Sequence, residues 1–300
     1  MGPASDYVET ALGTSTDAAA VALMVGGEQA KSARIFVSIA PHARRFGKPR
    51  LLYTDRTKQI VAVAAGMNKR GDVFVAWSRG AETAGAPIEG RFRYASGRVG
   101  KVRTLGSGSV WFSRLHVALA GDRRAIVTWV DQELAADGPG ALTQGKLKAA
   151  VVTAAGTARE QVLQAFPGAE EPNDFSAMFA SDGTGIAAWT GPRMARFARL
   201  GHDRFGAPAD LGPVNSSQDR LFGLTAGPQG RALAVWSAGQ EIRAAVIPST
   251  GPPAGDEAVV ARADEAAPGF DPVTGNPFVA FAVTGDDGAS RIAISQRRAH

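Results

Sequence analysis

Four of the five tryptophans in this 300-residue chain close segments written in one grammar: an apolar strand, a Gly-containing turn, then a second apolar strand ending in the aromatic. The segments run Ile60 to Trp77, Leu115 to Trp129, Phe175 to Trp189 and Leu221 to Trp236. Two weaker copies, Tyr7 to Leu23 and Ala266 to Phe281, complete the series. Successive closing residues lie 45 to 60 positions apart, about 52 on average, a little above the ~40 to 50 residues of a propeller blade. Six such units account for the whole chain.

Within each unit apolar and small residues alternate with period two, as in Val73-Phe-Val-Ala-Trp77 and Ala232-Leu-Ala-Val-Trp236, which marks strands and not helices. After each closing aromatic come a polar loop and two further strands: Gly90 to Ala95 then Lys101 to Leu105, Lys146 to Val152 then Gln161 to Gln164, Ala195 to Leu200 then Ala209 to Leu211, and Ile242 to Ile247 then Glu257 to Ala261. Four antiparallel strands per unit build a propeller blade; a β-helix, the rival, turns more tightly. The spacing therefore predicts an all-β six-bladed β-propeller as one domain over residues 1–300, with blades near 6–55, 56–106, 107–165, 166–212, 213–262 and 263–300. The recurring tryptophan is expected to be an apolar plug between neighbouring blades. With 45% hydrophobic residues the chain has material for such a core.

The units resemble the Gly-x-x-x-Val-Ala-Trp blades of β-propellers common in proteins of actinobacteria-like, high-GC sources. That resemblance carries an x-Phe-Gly-x-Pro element in the fourth strand, met here by Arg45-Phe-Gly-Lys-Pro49 and Arg204-Phe-Gly-Ala-Pro208. It spans residues 6–297 and implies a fold, not an activity. The Gly-His and Trp-Asp pair of WD40 blades and the kelch double glycine are missing. Ser181-Asp-Gly-Thr184 resembles only a fragment of the sialidase Asp-box, with different spacing.

After Phe281 only 19 residues remain, enough for a third strand, Arg291 to Gln296, and not for a fourth. The last blade is expected to be three-stranded, with an open edge that a partner can cover. Pro3 argues against an N-terminal strand completing it, because proline donates no ladder hydrogen bond.

Several function classes drop out. No stretch approaches the ~18 apolar residues of a membrane-spanning helix. The absence of cysteine excludes disulfide frameworks, thiolate zinc sites and thiol nucleophiles. Lys and Arg total 33 against 28 acidic residues, a net charge of +5, too thinly spread to indicate a nucleic-acid partner. No Gly-x-Ser-x-Gly elbow, His-Glu-x-x-His helix or Walker loop occurs, and Gly106 to Gly108 lacks the helix that a dinucleotide loop needs. The histidines are scattered, with His116 alone in an inner strand, so neither a metal nor a cofactor is expected. The start has no signal-peptide pattern, so a cytoplasmic location is the default expectation, or export if an N-terminal segment has been removed.

Candidate site residues follow from blade topology. The residue before each first strand points to the channel mouth, which selects Asp6, Gln59, Arg114, Asp174, Arg220 and Glu265. One reading is a ring of ion pairs. The other is a ligand site in which Arg56, Trp111, Arg114, Asp174, Arg220 and Glu265 orient a polar molecule, with Trp111 stacking on a sugar face. A catalytic version of that site resembles a sialidase: Arg56, Arg114 and Arg220 hold a carboxylate, Tyr7 is the nucleophile, and Glu265 or Glu9 the acid. Ring closure would also gather Arg44, Arg45, Lys48 and Arg50 with Arg297 and Arg298 into a basic patch. The resulting expectation is a non-catalytic binding or interaction module for a protein or a polar small molecule, carbohydrate included. The alternative is a sialidase-like exo-glycosidase. The chain would be a monomer or associate through the edge of its last blade.

Overall fold

The computed structural model describes residues 7–14, 18–26, 32–41, 45–56, 60–79, 85–108, 110, 114–134, 142–153, 155, 158–167, 170–261, 263, 265–284 and 290–296. Blade one holds β1 (Tyr7–Thr14), β2 (Ala19–Gly26), β3 (Ala33–Ala40) and β4 (Arg50–Asp55). Blade two holds β5 (Ile60–Met67), β6 (Val73–Arg79), β7 (Pro87–Arg93) and β8 (Arg103–Ser107). Blade three holds β9 (Leu115–Leu119), β10 (Ala125–Leu134), β11 (Leu142–Val152) and β12 (Ala158–Pro167). Blade four holds β13 (Asp174–Phe179), β14 (Gly185–Thr190), β15 (Met194–Leu200) and β16 (Ala209–Pro213). Blade five holds β17 (Leu221–Ala226), β18 (Ala232–Ala238), β19 (Glu241–Ile247) and β20 (Ala254–Ala261). Blade six holds β21 (Glu265–Phe270), β22 (Pro277–Thr284) and β23 (Ser290–Gln296).

Within each blade every strand pairs antiparallel with its neighbour in sequence, giving five four-stranded sheets and a last sheet of three among the described residues. This is the all-β six-bladed β-propeller that the repeat predicts, with its three-stranded final blade. Residues cluster into two compact units, Met1–Ala169 with blades one to three and Glu170–His300 with blades four to six. The outer strands run longer than the sequence reading: β11 begins at Leu142 and β12 at Ala158, because backbone pairing continues through polar positions that carry no apolar alternation.

The four repeat tryptophans Trp77, Trp129, Trp189 and Trp236 are fully buried. Three of them show what they fill. Trp77 of blade two packs among Ile35, Val37 and Leu52 of blade one and stacks on Tyr53 with ring centroids 4.5 Å apart. Trp129 of blade three packs against Phe74, Ile88 and Phe92 of blade two. Trp236 of blade five does the same against Phe197 and Leu211 of blade four. Each is thus a plug driven into the preceding blade. Removing such an indole would cost about 3–5 kcal/mol. Leu23 and Phe281, in the weaker copies, are only partly buried.

Polar links reinforce the plugs. The turn after β5 meets the turn after β9, where Asn68 Nδ2 donates to the Ala120 carbonyl at 3.0 Å and Arg123 Nε lies 2.8 Å from Asp72 Oδ2. Arg123 adopts φ 71, a left-handed conformation disfavoured for a side chain of its size. In blades four and five, Ser181 Oγ donates to the Gly227 carbonyl at 3.0 Å. Between blades five and six, Arg231 Nη2 donates to the Gly275 carbonyl at 3.1 Å.

A second device joins blades two and three. Lys148 spends its three ammonium protons on Asp131 at 2.8 Å, Glu160 at 2.9 Å and the Ser107 carbonyl at 2.9 Å. Desolvation opposes the charge on Lys148, but the two carboxylates outweigh it and its pKa rises. The Gly106-Ser-Gly108 stretch, which only superficially resembles a phosphate loop, has a different use. A Cβ at Gly106 would press on the Glu160 carboxylate and come within 2.9 Å of the Trp129 ring, and one at Gly108 would come within 2.9 Å of the Asp131 carboxylate.

Candidate functional site

The mouth residues divide between the two units. Asp6, Gln59 and Trp111 lie outside the described residues. Tyr7 and Glu9 lie in β1, and nothing is described of their side chains. Arg56 and Arg114 belong to the first unit, where Arg56 is exposed, Arg114 is half-buried and the Arg114 carbonyl accepts from Val130 N–H at 3.3 Å. In the second unit, Asp174, Arg220 and Glu265 stand at the starts of β13, β17 and β21, whose strands neighbour one another. Arg220 Nη2 lies 3.0 Å from Glu265 Oε1, with side chains 48% and 71% exposed. The guanidinium also sits 4.9 Å from the Phe222 ring centroid. Asp174 Oδ1 accepts from its neighbour's amide, Phe175 N–H, at 2.8 Å. The structure therefore joins Arg220 to Glu265, in a pair so exposed that water and salt leave it weak.

Of the basic patch, Arg44, Arg297 and Arg298 lie outside the described residues, while Arg45, Lys48 and Arg50 are exposed. Arg50 has basic company of another kind. It lies beside Arg93 and the Tyr94–Arg98 turn of blade two. Its guanidinium comes 3.9 Å from the position of a Cβ on Gly97.

That turn builds a groove. β7 ends at Arg93, and the chain reverses through Tyr94 N–H to the Arg98 carbonyl and Gly97 N–H to the Tyr94 carbonyl, both at 2.8 Å. Gly97 sits at φ 86, which glycine alone adopts without strain. The reversal, with Ala155 of blade three, lines an open groove of about 610 Å³ whose cationic wall is Arg91, Arg98, Lys101 and Arg103.

The arginines of this wall fall into two kinds. Arg91 is tethered, its Nε donating to the Gly100 carbonyl at 2.6 Å and its Nη1 to the Leu52 carbonyl at 2.7 Å. Arg103 reaches the Thr153 carbonyl at 3.0 Å. Arg98, by contrast, lies over the Tyr94 ring at 4.5 Å, and Arg123 lies 5.2 Å from the centroid of that ring. Arg50, Arg93, Arg98 and Lys101 make no ion pair with a carboxylate among the described residues. The electrostatic consequence shows at Arg93, whose pKa is lowered first by burial and then by repulsion from Arg50. Arg93 does not line the groove, but cations gathered this closely make its neighbourhood favourable for an anion.

Sequence reasoning missed this groove while its signal was present. From Gly90 to Gly121 six basic residues occur and no acidic one. The basic positions are spread over two strands and a turn, so they do not read as a run; hairpin geometry gathers them.

No protein-family model matches the chain, and no curated protein is found similar to it in sequence. Solved structures are similar in fold. An α-L-arabinanase of Penicillium chrysogenum, complexed with arabinobiose, aligns with 98% of this chain and 96% of its own at 11% identity and a TM-score of 0.50. An acylaminoacyl peptidase of Pyrococcus horikoshii aligns at 9% identity and a TM-score of 0.50 over 97% of this chain, which spans 45% of that protein. A fucose-recognising Aleuria aurantia lectin described as a six-bladed β-propeller aligns over 96% of this chain and 90% of its own, at 11% identity and a TM-score of 0.42. At these identities the likeness is one of fold: the chain is built like β-propeller proteins.

Proposed function

We propose that the chain is a non-catalytic binding module, and that its ligand is a polar molecule carrying carboxylate or sulfate groups. One observation carries the reading: the groove on blade two presents Arg98 and Lys101 without acidic partners among the described residues, close to Arg93 and Arg50. Guanidinium and ammonium groups held this way gain charge-assisted hydrogen bonds from oxyanions. A carbohydrate backbone suits the groove. It is open, and Tyr94, the one aromatic among the described residues that line it, already has two guanidinium groups against its ring, which leaves it unsuited to stacking a nucleobase. The arabinanase of like fold was solved with a disaccharide, and a sugar acid is the chemistry favoured here.

The test is a calorimetric titration with uronate or sulfated oligosaccharides, using neutral oligosaccharides of equal length as control. Acidic chains should bind, with affinity that falls as salt rises. Equal binding of neutral and acidic chains would refute an anion site. Hydrolysis of any of them, lost on Glu265→Gln, would replace the binding module by the exo-glycosidase reading.

A further inference from the structure

The sixth blade ends on a strand with the marks of an interior one. In the other five blades a fourth strand closes the sheet, and all five of those outer ladders carry a register shift. Bulges of that kind twist an edge away from further pairing. β23 instead pairs with β22 through seven residues with no shift, from Phe278↔Gln296 to Thr284↔Ser290. Beyond it the sheet has no further strand among the described residues. β23 holds neither proline nor lysine, two of the residues that blunt natural edges. Its Ile292 and Ile294 are 82% and 66% exposed.

The strand's own sequence says what fits it. Ser290-Arg-Ile-Ala-Ile-Ser-Gln296 has nearly the same pattern of side-chain character in either direction. We propose that β23 is a homotypic association edge, pairing antiparallel with β23 of a second copy about a two-fold axis at Ala293. Ile292 then lies opposite Ile294 of the second copy and Ile294 opposite its Ile292. Arg291 lies opposite Ser295, and Ser290 opposite Gln296. No like charges face each other, and every one- or two-residue slip leaves an isoleucine against alanine or a polar side chain. Such an interface is isologous and closes on itself.

The face opposite the isoleucines borders a cleft. Arg291, Ala293 and Ser295 share the side of Val283, Phe281 and Val279 in the β22 ladder, and Val279 and Phe281 pack on blade five. There a cleft of about 290 Å³ lies between blade five and β22–β23, lined by Leu233, Val246, Val279 and Ser295 with the Glu257 carboxylate among them. In this register Arg291 of the second copy is set opposite Ser295, a residue of that cleft's lining.

Sedimentation velocity of the full chain tests the pairing, over roughly 1 to 200 µM because an edge contact is smaller than a standard interface. The wild type should dimerise reversibly. Ile292→Lys with Ile294→Lys should be monomeric with unchanged circular dichroism, since both side chains are exposed. Ser295→Arg, which opposes Arg291 twice per dimer, should weaken association on the order of 2- to 30-fold. The exchange Arg291→Ser with Ser295→Arg should restore it. A wild type that stays monomeric throughout overturns the proposal, whether or not another peptide occupies the edge. A dimer indifferent to these changes, or a Ser295→Arg defect that the exchange leaves in place, overturns the register.

Discussion

Asp72 and Arg123 stand 51 residues apart in sequence and 2.8 Å apart in space, tying the first turn of blade two to the first turn of blade three. Burial by itself would raise the Asp72 carboxyl. Hydrogen bonds from Arg123, the Ala95 amide and Asn68 outweigh it, and the pKa is held below the ordinary 3.8. An acid whose folded pKa is depressed stabilises the protein fully above its unfolded pKa, and loses that contribution as pH falls through the folded value. Asp72→Ala should therefore cost about 2–3 kcal/mol at neutral pH, and its deficit should shrink below about pH 3.8. Chemical denaturation at pH 7 and pH 3 checks both.

The repeat tryptophans are equally buried and unequally bonded. Trp77 Nε1 donates to Glu89 Oε2 at 3.0 Å, whereas Trp129 Nε1 has no hydrogen-bond partner among the described residues. Trp77→Phe should therefore destabilise more than Trp129→Phe, by about 1 kcal/mol, the net worth of one such bond. Equal urea midpoints for the two variants would contradict this account of the plugs.

His116, on β9 opposite Thr128, has its pKa pushed down to about 4 by desolvation. The unfolded chain then binds a proton that the folded chain refuses between about pH 6.5 and 4. Stability should fall through that window as the solution is acidified, by up to about 3 kcal/mol. His116→Gln should flatten the profile. An unchanged slope in the variant would assign the acid sensitivity to other groups.

Lys148→Met should be far more harmful than a surface substitution. It would leave the carboxylates of Asp131 and Glu160 facing each other without their shared cation, at a cost of about 3 kcal/mol. Adding Asp131→Asn and Glu160→Gln should recover most of the loss, read as Tm in the triple variant.

The fold was legible because burial forces period-two patterning, and the tryptophan position marks the same inter-blade gap in blades two, three and five. Sites were less legible for two physical reasons. The mouth residues were chosen by register alone, and register cannot say that Arg220 turns to Glu265 and lies near Phe222. The groove around Arg98 depends on a glycine reversal at Gly97 that brings Arg91, Lys101 and Arg103 to one wall, while Arg50 arrives from blade one; no local spacing encodes that meeting. Gly106 and Gly108 were noticed as a motif, yet their use depends on carboxylates 23 or more residues downstream.

The most direct measurement is the titration of an acidic oligosaccharide against the wild type and the Arg98→Ala, Lys101→Ala double variant. Neither side chain holds an ion pair with a carboxylate among the described residues, and Arg98 gives up only its contact with the Tyr94 ring, so the melting temperature should move little while affinity falls on the order of 10- to 100-fold. Unchanged affinity in a folded double variant would show that the groove on blade two is not where this protein binds.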